Sequence, residues 1–313
     1  MSVSKLNGVT WSGISKVNGV AKANVARVSS YLVTAGGGGG GGSVSTKSVV
    51  YDGVDATTLV PEEHSFSKIL DNSAKNKATF SAWINLSDAT VNHYRVIWGN
   101  DPQDVTLGDF TRNEFIIQPL NPTVPSYHGL RFDIYNSTQN TKLGTSTYVF
   151  HSQSTLSSAS ILEDWIHVCL VATPSAGGTG YDHSIYVNGS ILNNATTPSS
   201  SFVKTNTIVA GDVGIGATYV VSSNSFVGHR SMKYSDYIIW SDELTSSEIT
   251  EIYNAGVGGF DPSTDSGNYA SSADLEIHYE VGNTAEDTTE APVTNNTGTA
   301  GNLVHNNVAF EAL

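Results

Sequence analysis

Apolar and polar residues alternate along most of this 313-residue chain. Ala78-Thr-Phe-Ser-Ala-Trp-Ile-Asn-Leu86 repeats with a period of two, and residues 93–98, 114–118, 129–135, 165–173 and 183–188 do the same. That period places successive side chains on opposite faces of a strand. Residues 208–219, 234–240 and 274–281 read as further strands. Asn188-Gly189 stands between Tyr186-Val187 and Ile191-Leu192, the pattern of a two-residue hairpin. Many short strands separated by Gly, Asn and Asp predict an all-β sandwich or barrel. One segment breaks the alternation. Residues 244–254 carry a Ser/Thr cap, an acidic first turn, apolar Ile249, Ile252 and Tyr253, and Gly256 as a stop, which predicts a helix.

The first 35 residues follow another pattern. Ser4-Lys-Leu-Asn-Gly-Val9 recurs eleven residues later as Ser15-Lys-Val-Asn-Gly-Val20, and a degenerate third copy follows at Ala26-Arg-Val-Ser-Ser-Tyr31. In the first two copies Asn-Gly between apolar residues predicts a hairpin with a type I′ turn. Hairpins this short cannot bury a core alone. Residues 1–35 are therefore expected to form a docking arm, with Leu6, Asn7, Gly8, Val9, Trp11, Val17, Asn18, Gly19 and Val20 making the contacts. A frayed tail is the plain alternative. Residues 36–42 are all glycine, too costly in entropy for a packed element, so 36–43 read as a linker. The sandwich is then expected over 44–256, and 257–313 as an extension packed on it.

Composition narrows the partners. Only 14% of residues are charged, against roughly 25% in an average globular protein. That suits a subunit held in a larger assembly. The net charge of −14 gives phosphate backbones and anionic membranes the wrong electrostatic sign. The N-terminus has no apolar signal stretch and no segment reads as membrane-spanning, so the chain is expected to be made in a cytoplasm without export by a signal peptide. The lone Cys169 lies in the apolar run 165–172, where a small buried residue is expected.

Three segments, in order, resemble laminin G-like domains of the concanavalin A superfamily. Phe80-Ser-Ala-Trp-Ile-Asn85 is similar to that family's F-S-x-W strand. Asp164-Trp-Ile-His-Val168 followed by Tyr186-Val-Asn-Gly189 is similar to its W-x-H-V and Y-V-N-G pair. Residues 234–249, with Ile252-Tyr-Asn-Ala-Gly256, look like its closing strand and helix. The resemblance covers about residues 47–256 and implies a jelly-roll sandwich, with Trp83, Trp165 and Trp240 expected to fill the space between sheets. Asp274-Leu-Glu-Ile-His-Tyr-Glu-Val-Gly282, with Thr294-Asn-Asn-Thr-Gly298 and Asn306-Asn-Val-Ala-Phe310, resembles the C-terminal extension of laminin G-like virion proteins of bacteriophages. The arm's Asn-Gly-Val repeat is similar to N-terminal segments of phage appendage proteins. These resemblances imply a non-enzymatic virion structural protein, a decoration, head fibre or tail appendage. The arm would dock on capsid, neck or tail proteins. The implied state is a homo-oligomer on the virion surface. A free lectin-like module is the rival reading.

The candidate chemistry is sparse. Glu276-Ile-His-Tyr-Glu280 resembles the Glu-Ile-Asp-x-Glu strand of laminarinase-like glycosidases, but His278 replaces the central Asp and the segment follows the closing helix, so a solvated edge strand is the expectation. Asp101, Asp104, Asp109 and Asp212 could offer oxygen ligands to calcium, although turn-forming Asp explains them equally. Tyr127, His128, Tyr181, Asp182, His183 and Tyr219 could pair an aromatic platform with hydrogen-bonding groups for a host-surface glycan. The nine histidines show no zinc spacing, and His167 alternates with core positions as a packed residue would.

Overall fold

The alternating segments build two sheets around one apolar layer. In the computed structural model the chain divides into two units, Met1–Gly41 and Gly42–Leu313, so the division falls inside the glycine run. The structure describes strand residues 5–6, 9–10, 16–17 and 20–21 of the first unit. In the second it describes 47–71, 77–86, 95–101, 113–119, 127–134, 150–157, 165–174, 181–192, 212–220, 224–228, 231–279 and strand residues between 290 and 312.

In the first unit, β1 (Lys5–Leu6) pairs antiparallel with β2 (Val9–Thr10), and β3 (Lys16–Val17) with β4 (Val20–Ala21). The registers are the same: Lys5 opposes Thr10 and Leu6 opposes Val9, while Lys16 opposes Ala21 and Val17 opposes Val20. Two residues connect each pair, as the Asn-Gly spacing requires.

The second unit contains, in order, β5 (Lys47–Asp52), β6 (Thr57–Val60), α1 (Phe66–Asp71), β7 (Ala78–Asn85), β8 (Arg95–Asp101), β9 (Asn113–Pro119), β10 (Tyr127–Ile134) and β11 (Phe150–Ser157). Then come β12 (Ile166–Pro174), β13 (Tyr181–Val187), β14 (Ser190–Ile191), β15 (Val213–Ile215), β16 (Thr218–Val220), β17 (Ser225–Val227), β18 (Ser231–Trp240) and α2 (Ser246–Ala255). The last strands are β19 (Leu275–Tyr279), β20 (Glu290–Ala291), β21 (Val293–Thr294), β22 (Leu303–Asn306) and β23 (Ala309–Ala312). One sheet has the order β14-β13-β12-β7-β18-β19-β21, with β5 beside β18 and β23 beside β5. The other runs β11-β10-β9-β8-β15-β6-β22-β20, with β16 and β17 joined to it through β8. This is an all-β jelly-roll sandwich. The segment after α2 supplies strands to both sheets, and β22 and β23 lie against β6 and β5.

Alternation is kept where the sheets face each other. On β7 the side chains of Ala78, Phe80, Ala82 and Ile84 enter the core between the sheets. Phe80 meets Trp98 and Phe115 of the opposite sheet at centroid distances of 6.2 and 6.0 Å, both edge to face. Phe66 of α1 packs on Trp98 and Phe132. The tryptophan between the sheets is therefore Trp98, and the expectation for the other three is corrected. Trp240 belongs to a second apolar cluster with Cys169, Ile249, Ile252 and Tyr269, packed with α2. Trp83 points the same way and stacks on Tyr253 of α2. Trp165 is half-buried just before β12. The outer face of this sheet is apolar because α2 covers it, so large rings are needed there too.

The helix over 244–254 is present as α2. Thr245 Oγ1 accepts from Glu248 N, Glu248 Oε2 accepts from Thr245 N, and Gly256 ends the helix at φ 85°. Residues 208–219 were expected as one strand. Gly216, at φ +81°, instead turns the chain between β15 and β16.

Candidate functional site

Among the described residues of the second unit, two of the places that gather polar groups stand out. The first lies on the α2-covered face of the β7–β12–β18 sheet. Ser81 Oγ and His167 Nε2 are hydrogen-bonded at 2.8 Å, and both residues are fully buried. Burial pushes the His167 imidazole down to about 3, with the Asp236 charge opposing the shift. Asp236 sits in a β-bulge at φ 56°, accepts from Gly258 N at 3.1 Å, and lies 3.7 Å from His278 Nε2. Serine, histidine and aspartate so gathered could suggest a nucleophile and its base. Here Trp83 and Tyr253 pack on the imidazole, at centroid distances of 5.2 and 6.3 Å. Burial holds the His167 imidazole neutral as a packed polar residue, and its backbone N–H donates to Asn188 Oδ1 at 3.0 Å, which fixes the Asn188-Gly189 turn to β12. Cys169, two residues along, is buried with its thiol pushed up by burial, the setting of an inert core residue.

The second place is a rim. Beyond Gly99, where β15 meets β8, the strand β16 takes the same edge of β8 in parallel, with Tyr219 opposite Asn100 and Val220 opposite Asp101. β17 folds back on β16. Tyr219 OH donates to Asn224 Oδ1 at 2.7 Å, and the Tyr219 and Phe226 rings meet at 5.3 Å. A Cβ on Gly214 would stand 2.3 Å from the Ala217 carbonyl oxygen and 3.0 Å from Phe226 Cε1, so glycine lets this hairpin approach β15. Burial, then the charge of Asp212, raises the Tyr219 phenol. Phe226 is half-buried, Asn224 exposed, and Val227 retains 40% exposure. Tyr219 itself is buried, so the half-buried Phe226 and the exposed Asn224 are the groups this rim presents.

The residues singled out from sequence are distributed as follows. Tyr127 and His128 open β10 in one sheet, whereas Tyr181 and Asp182 open β13 in the other, so the two pairs belong to different layers. Asp182 is exposed, while His183 turns toward the sandwich interior, 5.7 Å from the Phe132 ring. Asp101 ends β8, and Asp104 and Asp109 lie outside the described residues. Among the described residues no group of three His, Cys, Asp or Glu could hold a metal ion. Asp212 Oδ1 accepts from Glu62 N at 2.8 Å and so braces the chain beside β6. Glu276 is half-buried on β19, and Glu280 lies outside the described residues. β19 pairs with both β18 and β21, which corrects the expectation of an edge strand. Of the arm residues, Leu6, Val9, Val17 and Val20 are paired in the two hairpins. Asn7, Gly8, Trp11, Asn18 and Gly19 lie outside the described residues. Sequence reading found Tyr219 but missed Phe226 and Asn224. The available signal was an Asn and a Gly bracketing Ser225-Phe-Val227.

No family model and no curated protein sequence matches the chain. Among solved structures it is similar to a proposed carbohydrate-binding protein from Bacteroides ovatus, with 15% identity and a TM-score of 0.49 over 86% of this chain and 60% of that one. It is also similar to a heptameric SAP-like pentraxin from Limulus polyphemus, with 14% identity and a TM-score of 0.41 over 86% of this chain and 89% of that one. A third similar structure is the botulinum neurotoxin serotype C1 binding domain, with 15% identity and a TM-score of 0.41 over 68% of this chain and 46% of that one.

Proposed function

We propose that the protein is a non-enzymatic virion structural protein that docks through residues 1–35 and displays its sandwich outward, where the rim at Phe226 and Asn224 meets host-surface glycans. The observation that carries this reading is the repeated hairpin pair set ahead of a glycine run and a separate sandwich. A module that only bound free sugars would have no use for a repeated arm. The resemblance of the arm and of residues 274–310 to phage virion proteins supports the particle. The half-buried Phe226 ring and the exposed Asn224, which the buried Tyr219 holds in place, support the glycan, because sugar rings stack on aromatic faces and hydrogen-bond to amides.

The test is co-sedimentation with particles assembled without this protein. Full-length chain should sediment with them, and a chain lacking residues 1–42 should stay in solution. Equal sedimentation of both would assign the contact to the sandwich and end the docking role of the arm. Binding of neither would favour the free lectin-like module.

A further inference from the structure

We infer that the arm is a two-site reader of an acidic protein surface, each hairpin engaging one acidic site. This deepens the docking reading above and rests on it. The two hairpins repeat in register as well as in sequence. Lys5 and Lys16 hold the same position, opposite Thr10 and Ala21, and an aliphatic pair follows each, Leu6 with Val9 and Val17 with Val20. The charge is segregated. Residues 1–43 contain Lys5, Lys16, Lys22 and Arg27 and no carboxylate, a formal +4. The remaining eleven basic residues face all 29 acidic ones, a formal −18.

Strands of two residues gain too little from their own pairing to persist alone. A partner surface must therefore supply apolar cover for Leu6/Val9 and Val17/Val20 and a carboxylate for each lysine. Each such contact is weak. Two contacts on one short tether bind far more tightly than either, because the second is intramolecular. The paired positions also choose the partner. Leu6, Val9, Val17, Val20 and Ala21 are aliphatic and two of the eight are lysines, a mixture that fits a protein surface. A duplex backbone is bound mainly through many cations.

The experiment uses the full-length chain against two immobilised probes at low salt: an acidic random copolymer of glutamate and tyrosine, and duplex DNA. Lys5→Glu and Lys16→Glu should each weaken copolymer binding by about tenfold or more, and by similar factors, through the loss of avidity. Lys22→Glu and Arg27→Glu, outside the paired positions, should change it by less than about threefold, the scale of one screened surface charge. Gly8→Val and Gly19→Val keep the charge but disfavour the two-residue turn, and should match the lysine reversals. Equal effects at all four basic residues with silent glycine variants would mean an unstructured charged tail and overturn the inference. So would tighter binding to DNA, or no binding to the copolymer. The docking reading fails separately, only if arm deletion leaves co-sedimentation with particles intact.

Discussion

Gly216 and Gly228 hold nearly the same positive φ, +81° and +76°, in different surroundings. A Cβ on Gly216 would stand 2.5 Å from Tyr51 Cδ1, whereas one on Gly228 would meet nothing within 4 Å. The left-handed conformation alone costs an alanine roughly 1–2 kcal/mol. Crowding in a packed core adds roughly 1–3 kcal/mol. Gly228→Ala should therefore lower stability by the first amount and Gly216→Ala by the sum, measured by urea unfolding. His167 gives a pH signature. Its folded pKa of about 3 lies below the ordinary 6.5, so between those values the unfolded chain binds the extra proton. Stability is then lost as pH falls from about 6.5 toward 3, at up to about 1.4 kcal/mol per pH unit. His167→Gln should remove that dependence, so unfolding midpoints of the two proteins should converge as the pH is lowered. Midpoints that stay parallel would show that His167 does not titrate in this window.

At the scale of elements, α2 depends on Glu248 twice over. Its carboxylate closes the capping box with Thr245 and also accepts from Ala270 N at 3.2 Å and Ser271 Oγ at 2.5 Å, fastening the loop after the helix. Burial raises its pKa, but the hydrogen bonds from Ser271, Thr245 and Ala270 outweigh burial and hold it below the usual value. Thr245→Ala removes only the cap and should cost about 1 kcal/mol. Glu248→Ala removes both attachments and should cost roughly 2–3 kcal/mol, read from thermal unfolding followed by circular dichroism. The same helix was legible in sequence because cap, apolar face and stop all agree. β11 was not: Phe150-His-Ser-Gln-Ser-Thr-Leu-Ser157 is mostly polar, and among the described strands it pairs only with β10. α1 was also hidden. It is six residues long, too short for a helical period to show, although Ser65 Oγ accepts from Lys68 N as a cap would. The rim was half legible, since Tyr219 opens the apolar run Tyr219-Val-Val221 while Phe226 acquires its neighbour only when the chain folds back.

For the whole molecule, the division within the glycine run separates two compact units. A chain lacking residues 1–42 should keep the melting temperature of the full-length protein within about 2 °C, because unit two carries its own core. A larger fall would mean that the arm contributes to the sandwich. The repeated hairpins were readable because Asn-Gly fixes a two-residue connection whatever surrounds it. The tryptophans were not, because alternation tells which residues share a face without telling which face lies inward when both are covered.

The pairing of β23 with β5 joins residues far apart in the chain: Ser48 Oγ donates to the Glu311 carbonyl 263 residues later. That distance has a meaning in time. Synthesis at roughly 5–20 residues per second separates the two partners by tens of seconds. Through that interval β5 and β6 await β23 and β22, and their unpaired backbone is open to other nascent chains. Slow codons late in the message, or a shortage of chaperone, should therefore harm the yield of this protein more than equal delays early on.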